Sequence, residues 1–271
     1  MSTVEILHEP SEISRTEVVN VLGIPITNVT LDEAISRVAV FLSEPYLHHI
    51  VVVNTNKFWL ADHHPGLGRI IRNAEMVITE YGPVWASRIL GTPLKANVRG
   101  IGLFRSLLPW LQEWREPVYF FGARQEVLNR MLQQVSACYP HLQIAGARNG
   151  FFQSHEEDSI ISSINQSGAS VLFVAMGSPR QELFIENHRE ELAPRVAMGV
   201  GGSFDVLAGL KRDAPSWTHH GMEWIYRLWQ DPRNLLGRYA RVHSWFVYHT
   251  LHEKLAHSYG HRTTLHPGGH H

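Results

Sequence analysis

Apolar residues in this chain come in short runs, separated by stretches with helical periodicity. VVNVLGIPITNV (18–29) reads as two strands turning at Gly23-Ile24-Pro25. Thr30-Leu31-Asp32-Glu33 has capping-box spacing and opens a helix predicted to reach about Ser43. HHIVVVN (48–54) is too short and too β-branched for a helix and reads as a buried strand. Helical text follows to Asn73, then a strand at 75–79, then helices over 82–91 and 103–114. From there strand and helix alternate. Strands at 117–122, 142–147, 170–177 and 195–201 are separated by helices at 125–138, 156–167 and from about 179. Such alternation predicts βαβ units and a parallel sheet, hence an α/β, Rossmann-like parallel-sheet core. After Pro215 the text is helical throughout, with a break near Asp231-Pro232. The expected organisation is a loose tail (1–17), a core (18–213), a helical membrane-proximal appendage (214–256) and a His-bearing tail (257–271).

Composition narrows the class. At 271 residues, 44% hydrophobic and 18% charged, the chain can bury a substantial core. A net charge of −1 disfavours a nucleic-acid partner. One cysteine, Cys138, excludes a disulfide framework and fits a reducing compartment. Residues 1–17 are polar, carry Glu5, Glu9 and Glu12, and do not read as a signal peptide. No segment approaches 18 uninterrupted apolar residues, so a transmembrane helix is not expected.

The strand ends carry the candidate chemistry. In VAMGSPRQELFIENH (174–188) an apolar strand runs into Gly177, with Ser178 placed to cap and Pro179 to enter the first helical turn. Free backbone N–H groups at such a turn make an anion seat. A well-capped helix with no ligand reads equally well from this stretch. Glycine also ends other strands, at Gly122 and at Gly199, Gly201 and Gly202. A dinucleotide fingerprint fails, because Phe204 stands where the third glycine is required. There is no P-loop and no Asp-x-Asp. Phosphates would then be met by backbone N–H groups, hydroxyls and basic side chains, without metal or cofactor.

Several blocks occur together: GSPRQE (177–182), GVGGSFDVLAG (199–209), AP-x-W (214–217), GMEWIYRLWQDPRNLLGRY (221–239) and NAEMVITEYGPVWASRILG (73–91). In this order they resemble the WecG/TagA/CpsF glycosyltransferases over roughly residues 18–245. The resemblance implies inverting, metal-independent transfer of a sugar from a UDP-sugar to a saccharide on a polyprenyl diphosphate. It places the protein in the cytoplasm, peripherally on the inner face of the plasma membrane, with self-association among the family's properties. It implies that Gly177, Ser178, Gln181, Glu182, Gly201, Gly202 and Asp205 serve the donor. Asn54, Thr55 and Asn56 would meet the acceptor's sugar hydroxyls. The family's base is an Asp between strand and helix; here the nearest carboxylate in Thr79-Glu80-Tyr81-Gly82 is Glu80. Two blocks depart. The family's Arg-Val-x-Gly-x-Asp reads Asn97-Val98-Arg99-Gly100-Ile101-Gly102, and its Arg-Ala-Pro reads Asp213-Ala214-Pro215, with Arg212 one place earlier. These suggest a divergent branch, with glucosyl or N-acetylmannosaminyl transfer in bacterial surface or exopolysaccharide assembly. The competing readings are a nucleotide-binding module of a polysaccharide assembly complex that has lost its chemistry and, disfavoured by the glycine pattern, an oxidoreductase.

Residues 211–262 hold eight Lys or Arg against four Asp or Glu, and four of the eight Trp. Two helical stripes are visible: Leu235, Tyr239, Val242 and Phe246, which would pack, and Arg238, Arg241, Trp245 and Tyr248, which would meet an anionic lipid surface. Arg227, Arg233 and Arg238 are candidates for the acceptor diphosphate. His63-His64, His219-His220 and His249-x-x-His252 lack a recognised metal spacing and read as solvated or interfacial.

Overall fold

The computed structural model describes residues 17–211, 228–229 and 232–262; for 232–235 and 257–262 it describes the helix alone. Six parallel strands form the central sheet: β3 (His48–Val53), β4 (Met76–Thr79), β5 (Val118–Gly122), β6 (Ile144–Arg148), β7 (Val171–Ala175) and β8 (Val196–Gly199). Their order is β4-β3-β8-β7-β5-β6. The expected Rossmann-like core is present. Alternate strand residues feed opposite faces, as a pleat requires. Ile50, Val52, Phe120 and Phe173 pack beneath α1 (Leu31–Ser43), α5 (Gly100–Trp114) and α6 (Gln125–Cys138). On the other face Val51, Val53 and Val77 meet α2 (Thr55–His63), α3 (Pro65–Asn73) and α4 (Tyr81–Leu90). Also on that face, Phe121, Leu172 and Val174 meet α7 (Glu157–Gln166) and α8 (Arg180–Asn187).

A hairpin, β1 (Val18–Val21) and β2 (Ile24–Thr27), guards the β4 edge, where the Val77 N–H donates to Thr27 Oγ1 at 3.0 Å. Its turn is not at Gly23-Ile24-Pro25. Leu22 and Gly23 make it, with φ of 47° and 75°, a two-residue loop that matches strand twist. Ile24 and Pro25 lie within β2, Pro25 opposite Asn20. The helical text to Asn73 is two helices, because Pro65 opens α3 and His64 Nδ1 accepts from the Leu67 N–H at 3.2 Å. The helix expected from Leu103 starts at Gly100, where the missing side chain lets the backbone lie on Val52.

A short helix, α9 (Ser203–Leu207), follows β8, and a last helix, α10 (Pro232–Arg262), forms the C-terminal appendage expected from the sequence. Val242, Phe246 and Thr250 are buried, and the Phe246 ring meets Phe58 of α2 edge-on at 5.3 Å. The first predicted stripe therefore packs as far as its side chains are described. In the second, Arg238, Arg241 and Tyr248 are exposed, but Trp245 is half-covered, its ring tilted against that of His249 at 4.2 Å. The apolar exposure lies instead on Leu236, Val247, Leu251 and Leu255. No described helix is long and apolar enough to cross a membrane.

His48 starts β3 buried, stacked on Phe41 at 4.1 Å. Burial lowers its pKa below the ordinary histidine value; Arg189 and Arg37 reinforce this, and Glu44 and Glu75 only partly oppose it. Below about pH 6.5 the unfolded chain therefore takes up a proton that the folded chain refuses, so stability falls with pH. Urea midpoints measured between pH 7.5 and 5.5 should decline, and His48→Gln should flatten the slope.

Candidate active site

In such sheets ligands bind beyond the carboxyl ends of the strands, where neighbouring strands send their connections opposite ways. Here that point lies between β5 and β7. The chain leaves β5 through α6 on one face and leaves β7 through α8 on the other. The strand tips there are stripped of side chains. Gly122 has φ of 132°, and a Cβ on it would collide with the Ala175 backbone. Gly177 has φ of 77° and faces open space.

Two strands away, the tips of β3 and β4 bring together residues 26 apart in sequence. Asn54 caps α2, its Oδ1 accepting from the Lys57 N–H at 3.0 Å. Its Nδ2 donates to Glu80 Oε2 at 3.2 Å. Glu80 occupies the N-cap position of α4, yet its carboxylate makes no cap hydrogen bond, so it is turned toward Asn54. Thr79 cannot share this role: its buried hydroxyl donates to the Val53 and Glu80 carbonyls, at 3.1 Å each. Gly82 is required because the Thr55 methyl fills the space a side chain would take. The first turns of α2 and α4 thus touch, with a half-exposed carboxylate between them.

A buried cluster joins this corner to the β7 tip. Lys57 Nζ donates to Glu182 Oε1 at 2.6 Å, with side-chain exposures of 7% and 1%. Glu182 also accepts from Ser178 Oγ at 2.7 Å and Gln181 Nε2 at 2.8 Å. Burial would raise the Glu182 carboxyl. The Lys57 charge and the hydrogen bonds from Lys57, Ser178 and Gln181 outweigh it and hold the group ionised below the usual carboxylate value. Gln181 Oε1 accepts from the Gly201 N–H at 3.1 Å, and its amide lies where a Gly199 side chain would be.

The donor residues expected from sequence thus gather around one edge in two different postures. Gly177, Gly201 and Gly202 present backbone at the loops after β7 and β8. Gln181 and Glu182 are turned inward and fully buried. Ser178 does not cap α8; Pro179 stands at the N-cap and the Ser178 hydroxyl is given to Glu182. Asp205 is half-buried and pairs with Lys211 at 3.3 Å. On the acceptor side, Asn54, Thr55 and Asn56 form the cap and first turn of α2. Arg238 is exposed on α10, its guanidinium 5.5 Å from the Tyr239 ring centre. Arg227, the Arg233 side chain, Asp213, Trp217, Trp224, His219 and His220 lie outside the described residues. His63 Nδ1 and His249 Nδ1 lie 2.8 Å from the Trp59 and Trp245 carbonyls. Among the described residues no three His, Cys, Asp or Glu are grouped to hold a metal.

Lys57 escaped the sequence reading, though a signal was there. A lysine in the first turn sits at the wrong end of the helix dipole, and it shares a face with Phe58 and Ala61. Removing its charge strands Glu182. Lys57→Met should cost about 3–5 kcal/mol in chemical denaturation, and adding Glu182→Leu should recover much of that loss.

Comparison with known proteins gives the same direction. The glycosyl transferase WecG/TagA/CpsF family matches residues 19–259. A Bacillus spizizenii N-acetylglucosaminyldiphosphoundecaprenol N-acetyl-beta-D-mannosaminyltransferase is 33% identical over 185 residues, covering 68% of this chain and 71% of that protein. The Bacillus subtilis protein of the same description is 34% identical over 152 residues, covering 56% and 59%. With the family matched over residues 19–259 and the parallel sheet in place, this protein belongs to the WecG/TagA/CpsF family of glycosyltransferases.

Proposed function

We propose that the protein transfers a hexosyl residue, N-acetylmannosaminyl or glucosyl, from a UDP-sugar to a saccharide carried on a polyprenyl diphosphate. The setting would be bacterial surface or exopolysaccharide assembly at the inner face of the plasma membrane. The observation that carries this reading is the Glu80 carboxylate, held by Asn54 at 3.2 Å, across the sheet edge from the bare Gly177 turn. Strands β3 and β7 are separated only by β8, about 10 Å from tip to tip, roughly the room a hexose ring needs. With the diphosphate at Gly177, the anomeric carbon lies toward β8 and the acceptor hydroxyl toward β3 and β4.

In that arrangement Glu80 removes the proton of the acceptor hydroxyl as its oxygen attacks the anomeric carbon. The bond from that carbon to the diphosphate oxygen breaks on the opposite face, which inverts the centre, and UDP leaves carrying the electron pair. Backbone N–H groups at the turn after β7 receive the growing charge, and they need no reorganisation. The absence of any Asp-x-Asp in the sequence supports a metal-independent route. The named relatives support the lipid-linked acceptor. The exposed Leu236, Val247, Leu251 and Leu255 of α10, with Arg238 and Arg241 beside them, suit an anionic membrane surface.

Incubation with radiolabelled UDP-sugars and a polyprenyl-diphosphate saccharide tests this directly. Transfer is expected with one hexose donor in the presence of EDTA, and Glu80→Gln should lower turnover at least a hundredfold with UDP binding nearly intact. UDP binding without transfer from any donor would instead favour the module without chemistry. Leu251→Ser/Leu255→Ser should reduce co-sedimentation with anionic vesicles several-fold, and unchanged sedimentation removes α10 as the docking surface.

A further inference from the structure

Histidines line the outer flank of α10, and the proposed chemistry leaves them unused. At about 3.6 residues per turn the exposed side of this helix divides into two arcs. Leu236, Val247, Leu251 and Leu255 make the apolar arc. Beside it the stripe of Arg238, Arg241, Trp245 and Tyr248 continues, in steps of three and four, to His252, and His249 lies one turn beyond Trp245. His252 is exposed, its ring stacked on Tyr248 with centres 5.9 Å apart. His249 is half-covered, its Nδ1 2.8 Å from the Trp245 carbonyl. A carbonyl can only accept, so Nδ1 carries the hydrogen and Nε2 is the nitrogen that takes up a proton. Glu253 is the one carboxylate among the described α10 side chains, and it faces away from the stripe, lining a cavity with Glu17 beside the hairpin. Lys254 and His243 complete the titratable groups of the helix beside Arg238, Arg241 and Tyr239. The elements packed against it bring Lys57, Asp62 and His63 from α2 and Tyr81 and Arg88 from α4. Of these, Lys57 is held by Glu182, and Asp62 lies 3.6 Å from His63.

An apolar arc bordered by arginines and histidines carries a charge that depends on pH, because a histidine changes charge between about pH 8 and pH 5. We propose that His249 and His252 make the docking of α10 proton-dependent, so that the helix holds an anionic membrane more tightly as pH falls. The inference rests on the reading of α10 as the docking surface. An anionic surface attracts each added cation, and its potential of about −30 mV lowers the local pH by about half a unit. Lipid contact and proton uptake therefore favour one another. Because the bound state prefers the protonated rings, the added affinity is full at the acid end of the histidine range and gone at the alkaline end. Arg238 and Arg241 stay charged throughout and supply the part of the attraction that does not vary.

Co-sedimentation of the full chain with mixed phosphatidylglycerol and phosphatidylcholine vesicles, at pH 7.5 and at pH 5.5, tests this. The partition coefficient should rise about tenfold at the lower pH. His249→Gln/His252→Gln should match the wild type at pH 7.5 and lose most of that rise. His249→Arg/His252→Arg should bind at pH 7.5 as the wild type does at pH 5.5. A rise that persists in the Gln variant overturns the inference. So does an equal rise on phosphatidylcholine alone, which would mark newly exposed apolar surface instead of charge. A flat profile in the wild type overturns it too, while leaving α10 as the docking surface. Binding to anionic vesicles at neither pH sinks the docking reading itself, an outcome distinct from all of these.

Discussion

The ion pair between Lys57 and Glu182 is the tie on which the geometry of the edge depends. It joins the first turn of α2, leaving β3, to the first turn of α8, leaving β7, across the intervening strand β8. Two apolar side chains could hold those helices together as firmly, since burying charge is expensive. They could not orient Ser178 and Gln181, which are aimed by the Glu182 carboxylate. Through Gln181 the same carboxylate reaches the Gly201 N–H, and Gly199 must lack a side chain to admit the Gln181 amide. One buried charge thereby sets the loops after β7 and β8 together.

The layered architecture was readable because local pattern and tertiary demand agree. Each βαβ unit announces itself by a short β-branched run, a glycine or cap, and a helical stripe. The capping box at Thr30 is present as written, with Thr30 Oγ1 accepting at 3.3 Å and Glu33 reaching back at 2.8 Å. Strand order was not readable, because β4-β3-β8-β7-β5-β6 is a property of helix placement on two faces. The hairpin turn was misplaced because Gly23-Ile24-Pro25 draws the eye to proline, whereas the conformation is set by positive φ at Leu22 and Gly23.

The candidate site divides the same way. Its glycines could be found from sequence, since a strand end without side chains is a local feature. The posture of its polar residues could not. Gln181 and Glu182 look like first-turn polar residues, and only the arrival of Lys57 from 125 residues away shows why they point inward. Glu80 acquires meaning from Asn54, another contact between separate βα units. Ser178 looks like a cap until the carboxylate four residues on takes its hydroxyl.

The seat of α10 has a mechanical corollary. Its buried ridge leans on α2 through Phe246 and Phe58, while the cap of that nine-residue rod, Asn54, grips Glu80. An α-helix this short is stiff along its axis, about 13 Å from end to end. Any force that tilts the C-terminal helix is delivered, with little slack, to the amide that holds the Glu80 carboxylate. The C-terminal helix and the half-exposed Glu80 carboxylate are two ends of one lever.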